Sequence, residues 1–184
     1  MLQSFFGLLK IGCLALFCAN AAYADETSSA YAGALGPETN LPMPRFVSLK
    51  AAEGNARRGP SLSQRIDWVF KRRNMPLQVV AEHGHWRKVL DFEGAGGWIH
   101  YSLLSGARTI LVQQDSVDIL NHPVPNTLIN AKLERNVLAW LTACEIQWCK
   151  ISADGYKGWA PKTALWGVSD DEVFDFNIKK GVEN

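Results

Sequence analysis

An all-β chain of two small domains in series, with little helix, follows from three observations. A tryptophan motif is written twice, short strand patterns recur at close spacing, and no helical stretch of ten or more residues interrupts the strands of the first copy. The motif opens at Trp86 and runs through Gly97-Trp98 to Leu104 and Gly106. It opens again at Trp148 and runs through Gly158-Trp159 to Leu165 and Gly167. The offset is 62 residues for the first Trp and 61 for the Gly-Trp pair, the Leu and the final Gly. A period this long exceeds most solenoid units and indicates two domains rather than a stacked repeat. Units of about 60 residues are near the lower limit for burying a self-sufficient core, so each should be tightly built. A composition of 47% hydrophobic and 20% charged residues is that of an ordinary soluble protein and excludes little.

The elements follow in order. Residues 1–24 read as a signal peptide: one Lys in an apolar stretch to Phe17, then Ala22-Tyr23-Ala24 in small-x-small form, with cleavage expected after Ala24. Lys10 and Asn20 interrupt the run before it reaches the length of a membrane span, so no span is expected once the leader is removed. Neither Cys13 nor Cys18 has the neighbours of a lipid-attachment site. Residues 25–44, rich in Ser, Ala, Gly, Thr and Pro, read as a flexible linker. The first domain, 45–112, opens with Phe46, Val47 and Leu49. It continues with strands expected at 66–70, 77–82, 86–92 and 97–100, separated by turn formers. The second, 113–168, repeats the order with strands at 128–131, 137–144, 148–152 and 158–160. Such spacing suits a small barrel or a sandwich. In the tail, 169–184, Ser169 to Glu172 has capping-box form while Phe174, Phe176 and Ile178 alternate. An irregular or short helical segment packing its aromatics on the second domain is expected.

Removal of the leader leaves two cysteines, Cys144 and Cys149. In an exported chain they read as a disulfide, since four intervening residues suffice to turn a hairpin. The alternative is a thiol nucleophile with a histidine as its base.

The segment Asn55-Ala-Arg57-Arg58-Gly-Pro60-Ser61, the Trp opening a strand, Gly97-Trp98-Ile99-His100 and a closing Leu together resemble the bacterial SH3 domain family. The second copy matches only in its later half, because Asn121-His-Pro-Val-Pro-Asn-Thr127 replaces the Arg-x-Gly-Pro segment. The resemblance covers Phe46 to Val168. It implies two tandem SH3-like five-stranded β-barrels acting as non-catalytic binding or spacer modules. It also implies that Trp86 and Trp148 line a ligand groove, with His100, Tyr101 and Pro161 at neighbouring positions. With Leu103 and Ala164 in place of the later Tyr, a polyproline ligand is not expected. Trp98 and Trp159, each beside a Gly, are expected to fill the cores. Trp68 and Trp140 have no counterparts in each other's repeat and are expected to pack between the domains.

Charge is unevenly spread. Residues 45–88 carry ten Lys or Arg against three acidic residues, a balance of +7, whereas residues 89–184 carry eight against twelve, a balance of −4. Arg57 and Arg58 in the ligand-side loop, and Lys71-Arg72-Arg73 in a turn, could draw an anionic partner or dock one domain on the other. His83-x-His85 lacks the third ligand that a metal needs, and no phosphate loop or nucleophile elbow is present. No cofactor and no enzymatic activity are expected. The chain reads as a periplasmic or secreted binding module whose partner is a peptidoglycan fragment or an envelope protein, with no nucleic acid. Its ligand is expected on the first repeat.

Overall fold

The computed structural model describes residues 33–175, so the expected leader and the end of the tail lie outside the described residues. A short hairpin of β1 (Ala34–Leu35) and β2 (Pro42–Met43) leads in. The first unit holds β3 (Arg45–Leu49), β4 (Gly54–Arg57), β5 (Ile66–Phe70), β6 (Pro76–His83), β7 (Trp86–Leu90), β8 (Gly96–His100) and β9 (Leu104–Ser105). The second holds β10 (Thr109–Val112), β11 (Ser116–Leu120), β12 (Ile129–Glu134), β13 (Leu138–Cys144), β14 (Trp148–Ala153), β15 (Tyr156–Pro161) and β16 (Leu165–Trp166), followed by β17 (Phe174–Asp175). Single 3-10 turns at Tyr101–Leu103 and Lys162–Ala164 are the only helical elements among the described residues.

The sheet orders are β5-β4-β8-β7-β6-β3-β9 and β12-β11-β15-β14-β13-β10-β16, the same path with every strand seven places later. The duplication in sequence is therefore a duplication in topology. Hydrogen bonding does not close either sheet into a barrel: β5 and β9 end one ladder, and β12 and β16 the other. The closing strands β9 and β16 are two residues long and pair only with β3 and β10.

Period-two alternation builds both cores. Along β7 and β8, Val89 and Ile99 are fully buried beside Leu49, Ala56, Phe70, Leu77 and Val79. Along β14 and β15, Cys149, Ile151 and Ala160 join Ile110, Val112, Ile119 and Leu141. The glycines of the Gly-Trp pairs permit close approach where β8 and β15 meet β4 and β11. A Cβ on Gly97, at φ 155°, would stand 2.6 Å from Arg57 O, and one on Gly158 would stand 2.4 Å from Leu120 O.

Four expectations are corrected. The segment read as linker is folded from Gly33 onward, because Glu82 clasps it. The fully buried carboxylate accepts from Glu38 N and Thr39 N at 3.0 Å, Thr39 Oγ1 at 2.7 Å and Arg45 Nη2 at 2.5 Å, with Arg87 Nε 3.3 Å away. Burial alone would raise this carboxyl, but the Thr39 hydroxyl, the Arg45 guanidinium and the two backbone N–H groups hold it at about 2. Second, Thr109–Val112, assigned to the first domain, pairs with β13 and β16 and so belongs to the second sheet.

Third, Trp68 and Trp140 do not fill the interface; they are 43% and 44% exposed. The contact between units is made by Trp166, whose ring meets Phe46 edge-on at 5.1 Å and Phe92 at 6.4 Å. Beside it, Ser48 Oγ and Thr109 Oγ1 lie 2.7 Å apart and also reach Ala107 O and Asn74 O. The basic turn contributes a bond from Arg72 Nη1 to Asn136 O of the second unit at 2.9 Å. Fourth, the tail, expected as an irregular or short helical segment, is a turn followed by the short strand β17 among the described residues. Ser169–Glu172 makes a turn in which Glu172 Oε2 accepts from Ser169 N, and the buried Lys162 Nζ donates to Asp170 O and Glu172 O. Phe174 then packs on the second core as β17 pairs with Ala143 and Cys144.

Candidate functional site

Alternation decides what each Trp does. Residues directly opposite in an antiparallel pair share a face. With Val89 and Ile99 turned inward, Trp86, Lys88, Trp98 and His100 turn outward. Trp86 stands opposite His100, Lys88 opposite Trp98, and Trp98 opposite Arg57 on its other side. The second unit repeats the arrangement, with Trp148 opposite Pro161, Lys150 opposite Trp159, and Trp159 opposite Leu120. Trp98 and Trp159 are thus half-buried members of an outer ladder, not core residues. The ring next to Gly points outward because Ile99 and Ala160, one position on, take the inner face. Lys150 Nζ lies 5.9 Å from the centre of the Trp159 ring, within cation–π range.

In the first unit the ladder ends in a cluster of four rings. Trp86 meets His100 edge-on at 5.6 Å, His100 lies 4.9 Å from Tyr101, and His85 lies 5.5 Å from Tyr101 and 5.9 Å from His100. Tyr101 N donates to His85 O, and His100 Nδ1 caps the following 3-10 turn, 2.8 Å from Ser102 Oγ. The structure therefore brings Trp86, His100 and Tyr101 together and adds His85 and Lys88. The signal for Lys88 was in the motif: Trp-x-Lys at period two places the cation beside the ring that follows.

Arg57 and Arg58 are less free than their place in the loop suggests. Arg57 Nη1 donates to Leu62 O at 3.0 Å and Gln64 O at 2.7 Å, tying residues 58–65 to β4. Arg58 Nε meets Asp67 Oδ2 at 3.0 Å, and with Arg65 it holds the Asp67 carboxyl below its ordinary value. In the second unit Leu120 takes the place of Arg57, and Trp148 and Pro161 line an open cavity of about 370 Å³ with Asp118, Leu120, Asn126 and Ile129.

Cys144 and Cys149 are joined in a disulfide across the β13–β14 register, immediately beside Trp148. Both sulfurs are committed, so neither offers the thiolate that a nucleophile requires. Among the described residues no group of three or more His, Cys, Asp or Glu is placed to hold a metal, and no helix is long and apolar enough to cross a membrane.

Two copies of one small antiparallel fold, each presenting an aromatic outer ladder, follow one another along the chain. The family model described as Bacterial SH3 domain matches residues 50–106 and again 113–167, and the chain belongs to that family. Domains of this family are typically binding modules, often for cell wall. No curated protein matches the sequence. Among solved structures the chain is similar to NlpC2 and NlpC1 from Trichomonas vaginalis, each at 14% identity and a TM-score of 0.32, over 67% and 71% of this chain. It covers 48% of each of those proteins, about half their length.

Proposed function

We propose that the chain is an exported, non-catalytic binding module of the cell envelope that recognises a wall fragment through the outer ladders of its two SH3-like units. The observation that carries this reading is the ladder itself, Trp86, Lys88, Trp98 and His100, repeated as Trp148, Lys150, Trp159 and Pro161. Flat indole faces suit the apolar faces of sugar rings, and the flanking Arg57 and Lys88 suit carboxylates on an attached peptide. The apolar leader and the disulfide support export to an oxidising compartment. Titration of the mature protein with muropeptides tests the reading. The Trp86 and Trp98 indole resonances should shift and saturate, and an unchanged spectrum at millimolar ligand would overturn it.

A second reading, an electrostatic adaptor for an envelope or host protein, is favoured by the charge imbalance between the +7 and −4 segments. A partner held this way should be lost on raising salt, whereas a stacked sugar should stay bound.

A further inference from the structure

The two units share one register, and at a single position of it a large ring in the first is a methyl group in the second. Ala56 stands opposite Trp68 across β4 and β5, and Ile119 stands opposite Ala131 across β11 and β12, each followed at once by a register shift. Arg57 opposite Trp98 and Leu120 opposite Trp159 fix the same equivalence from the other side. Trp68 and Ala131 are therefore counterparts. Ala56 and Ile119 are fully buried, so both counterparts lie on the core side of their strands.

Beside Ala131 the second unit is open. A cavity of about 430 Å³ runs along β12 from Asn130 to Glu134, with Val137, Ala153, Asp154 and Tyr156 as its other wall. It lies at the turn between β14 and β15, the opposite end of those strands from Trp148 and Pro161. Its floor is apolar, since Ala131 and Val137 pack on the core that holds Leu133 and Ala153. β12 ends its sheet, so its outer edge has no partner strand. The charges around it are unevenly matched. Lys132 Nζ lies 3.6 Å from Asp118 and the neighbouring Arg135 Nε 2.9 Å from Asp115. Glu134 and Asp154, both exposed, have no counter-charge among the described residues.

We propose that this cleft takes an aromatic side chain from a partner peptide that lies along β12 and carries a basic residue beside the aromatic one. The ring stands where the indole of Trp68 stands in the first unit, with Tyr156 at its edge, and Glu134 and Asp154 meet the cation. Exposed ion pairs add little affinity, so the ring supplies the binding and the rim selects the peptide. The site is separate from the outer ladders and does not depend on what they bind.

The test uses the full mature chain with labelled alanine, leucine and valine methyl groups. The probe is the tripeptide Arg-Trp-Arg blocked at both ends, with Arg-Ala-Arg and Glu-Trp-Glu as comparators. Arg-Trp-Arg should move the methyls of Ala131, Leu133 and Val137 saturably in the millimolar range. Arg-Ala-Arg should leave them in place, and Glu-Trp-Glu should bind about fivefold more weakly. Ala131→Trp, which supplies the ring from within, should abolish the shifts of Leu133 and Val137. Should that variant fail to fold, Ala131→Leu reads the same point with a smaller plug. A still spectrum with Arg-Trp-Arg, or equal shifts with Arg-Ala-Arg, would overturn the aromatic site. Glu-Trp-Glu binding as tightly as Arg-Trp-Arg would overturn the charge assignment, and undiminished binding to the plugged variant would place the peptide elsewhere. Muropeptides that leave Trp86 and Trp98 unmoved while Arg-Trp-Arg shifts Ala131 would sink only the wall reading.

Discussion

Glu82 and Arg45 form the inner half of a clasp: Arg45 Nη2 lies 2.5 Å from Glu82 Oε1, and the far side of the same carboxylate holds the backbone of Glu38 and Thr39. A single buried carboxylate thereby fastens the entering hairpin to β6.

The clasp should give the protein an acid limit. The Glu82 carboxyl is held at about 2 against an ordinary 4.5, so the unfolded chain takes up the proton first. Its stabilisation is complete above about pH 4.5 and fades as pH falls toward about 2, by on the order of 3 kcal/mol. Denaturant titrations across this range should show Glu82→Gln losing that dependence. At neutral pH the variant should be less stable by about 3 kcal/mol, since Arg45 and Arg87 lose their counter-charge. Parallel pH curves for the two proteins would contradict it.

Ile99 and Trp98 are neighbours on opposite faces, and their truncations should differ accordingly. Ile99→Ala empties a fully buried site and should destabilise by about 3 kcal/mol. Trp98→Ala removes a half-buried outer ring and should cost no more than about half as much while abolishing ligand-induced indole shifts. Equal losses in chemical denaturation would place Trp98 in the core after all.

Reduction of the disulfide should lower stability by about 2 kcal/mol, the loop-closure value for so short a ring. Because Cys144 also pairs with Phe174, amide exchange should quicken in the tail and around Trp148 before the first unit is affected. Exchange measured with and without reductant checks this, and uniform acceleration across both units would count against it.

Trp166→Ala removes the ring that Phe46 and Phe92 share. The two units should then tumble with greater independence in relaxation measurements, with both cores intact. Unchanged relaxation would show that the Ser48–Thr109 contacts and the Arg72–Asn136 bond hold the units together without it.

Much of this fold was legible in the sequence, for physical reasons. The strands from Trp86 and Trp148 alternate inner and outer residues, and the Asn and Gly turns between them break the pattern cleanly. β4 and β11 were missed: β4, as Gly-Asn-Ala-Arg, has only Ala56 to offer its core, and Gly54 serves by close approach to Leu49. The entering hairpin was invisible because its partner, Glu82, lies more than forty residues away. Trp98 was misplaced because a large ring beside Gly looks like core filling. Counting in twos from Val89 and Ile99 would have turned it outward.

The pinned loop of the first unit has a thermodynamic meaning. With Arg57 already bonded to Leu62 O and Gln64 O, residues 58–65 are ordered before any ligand arrives, and little conformational entropy remains to be lost there. The corresponding loop of the second unit, 121–128, has no such tether from its strand, since Leu120 takes the place of Arg57. The two proposed binding faces thus differ in how far they are ordered in advance, and calorimetry should separate them by the sign and size of their binding entropies.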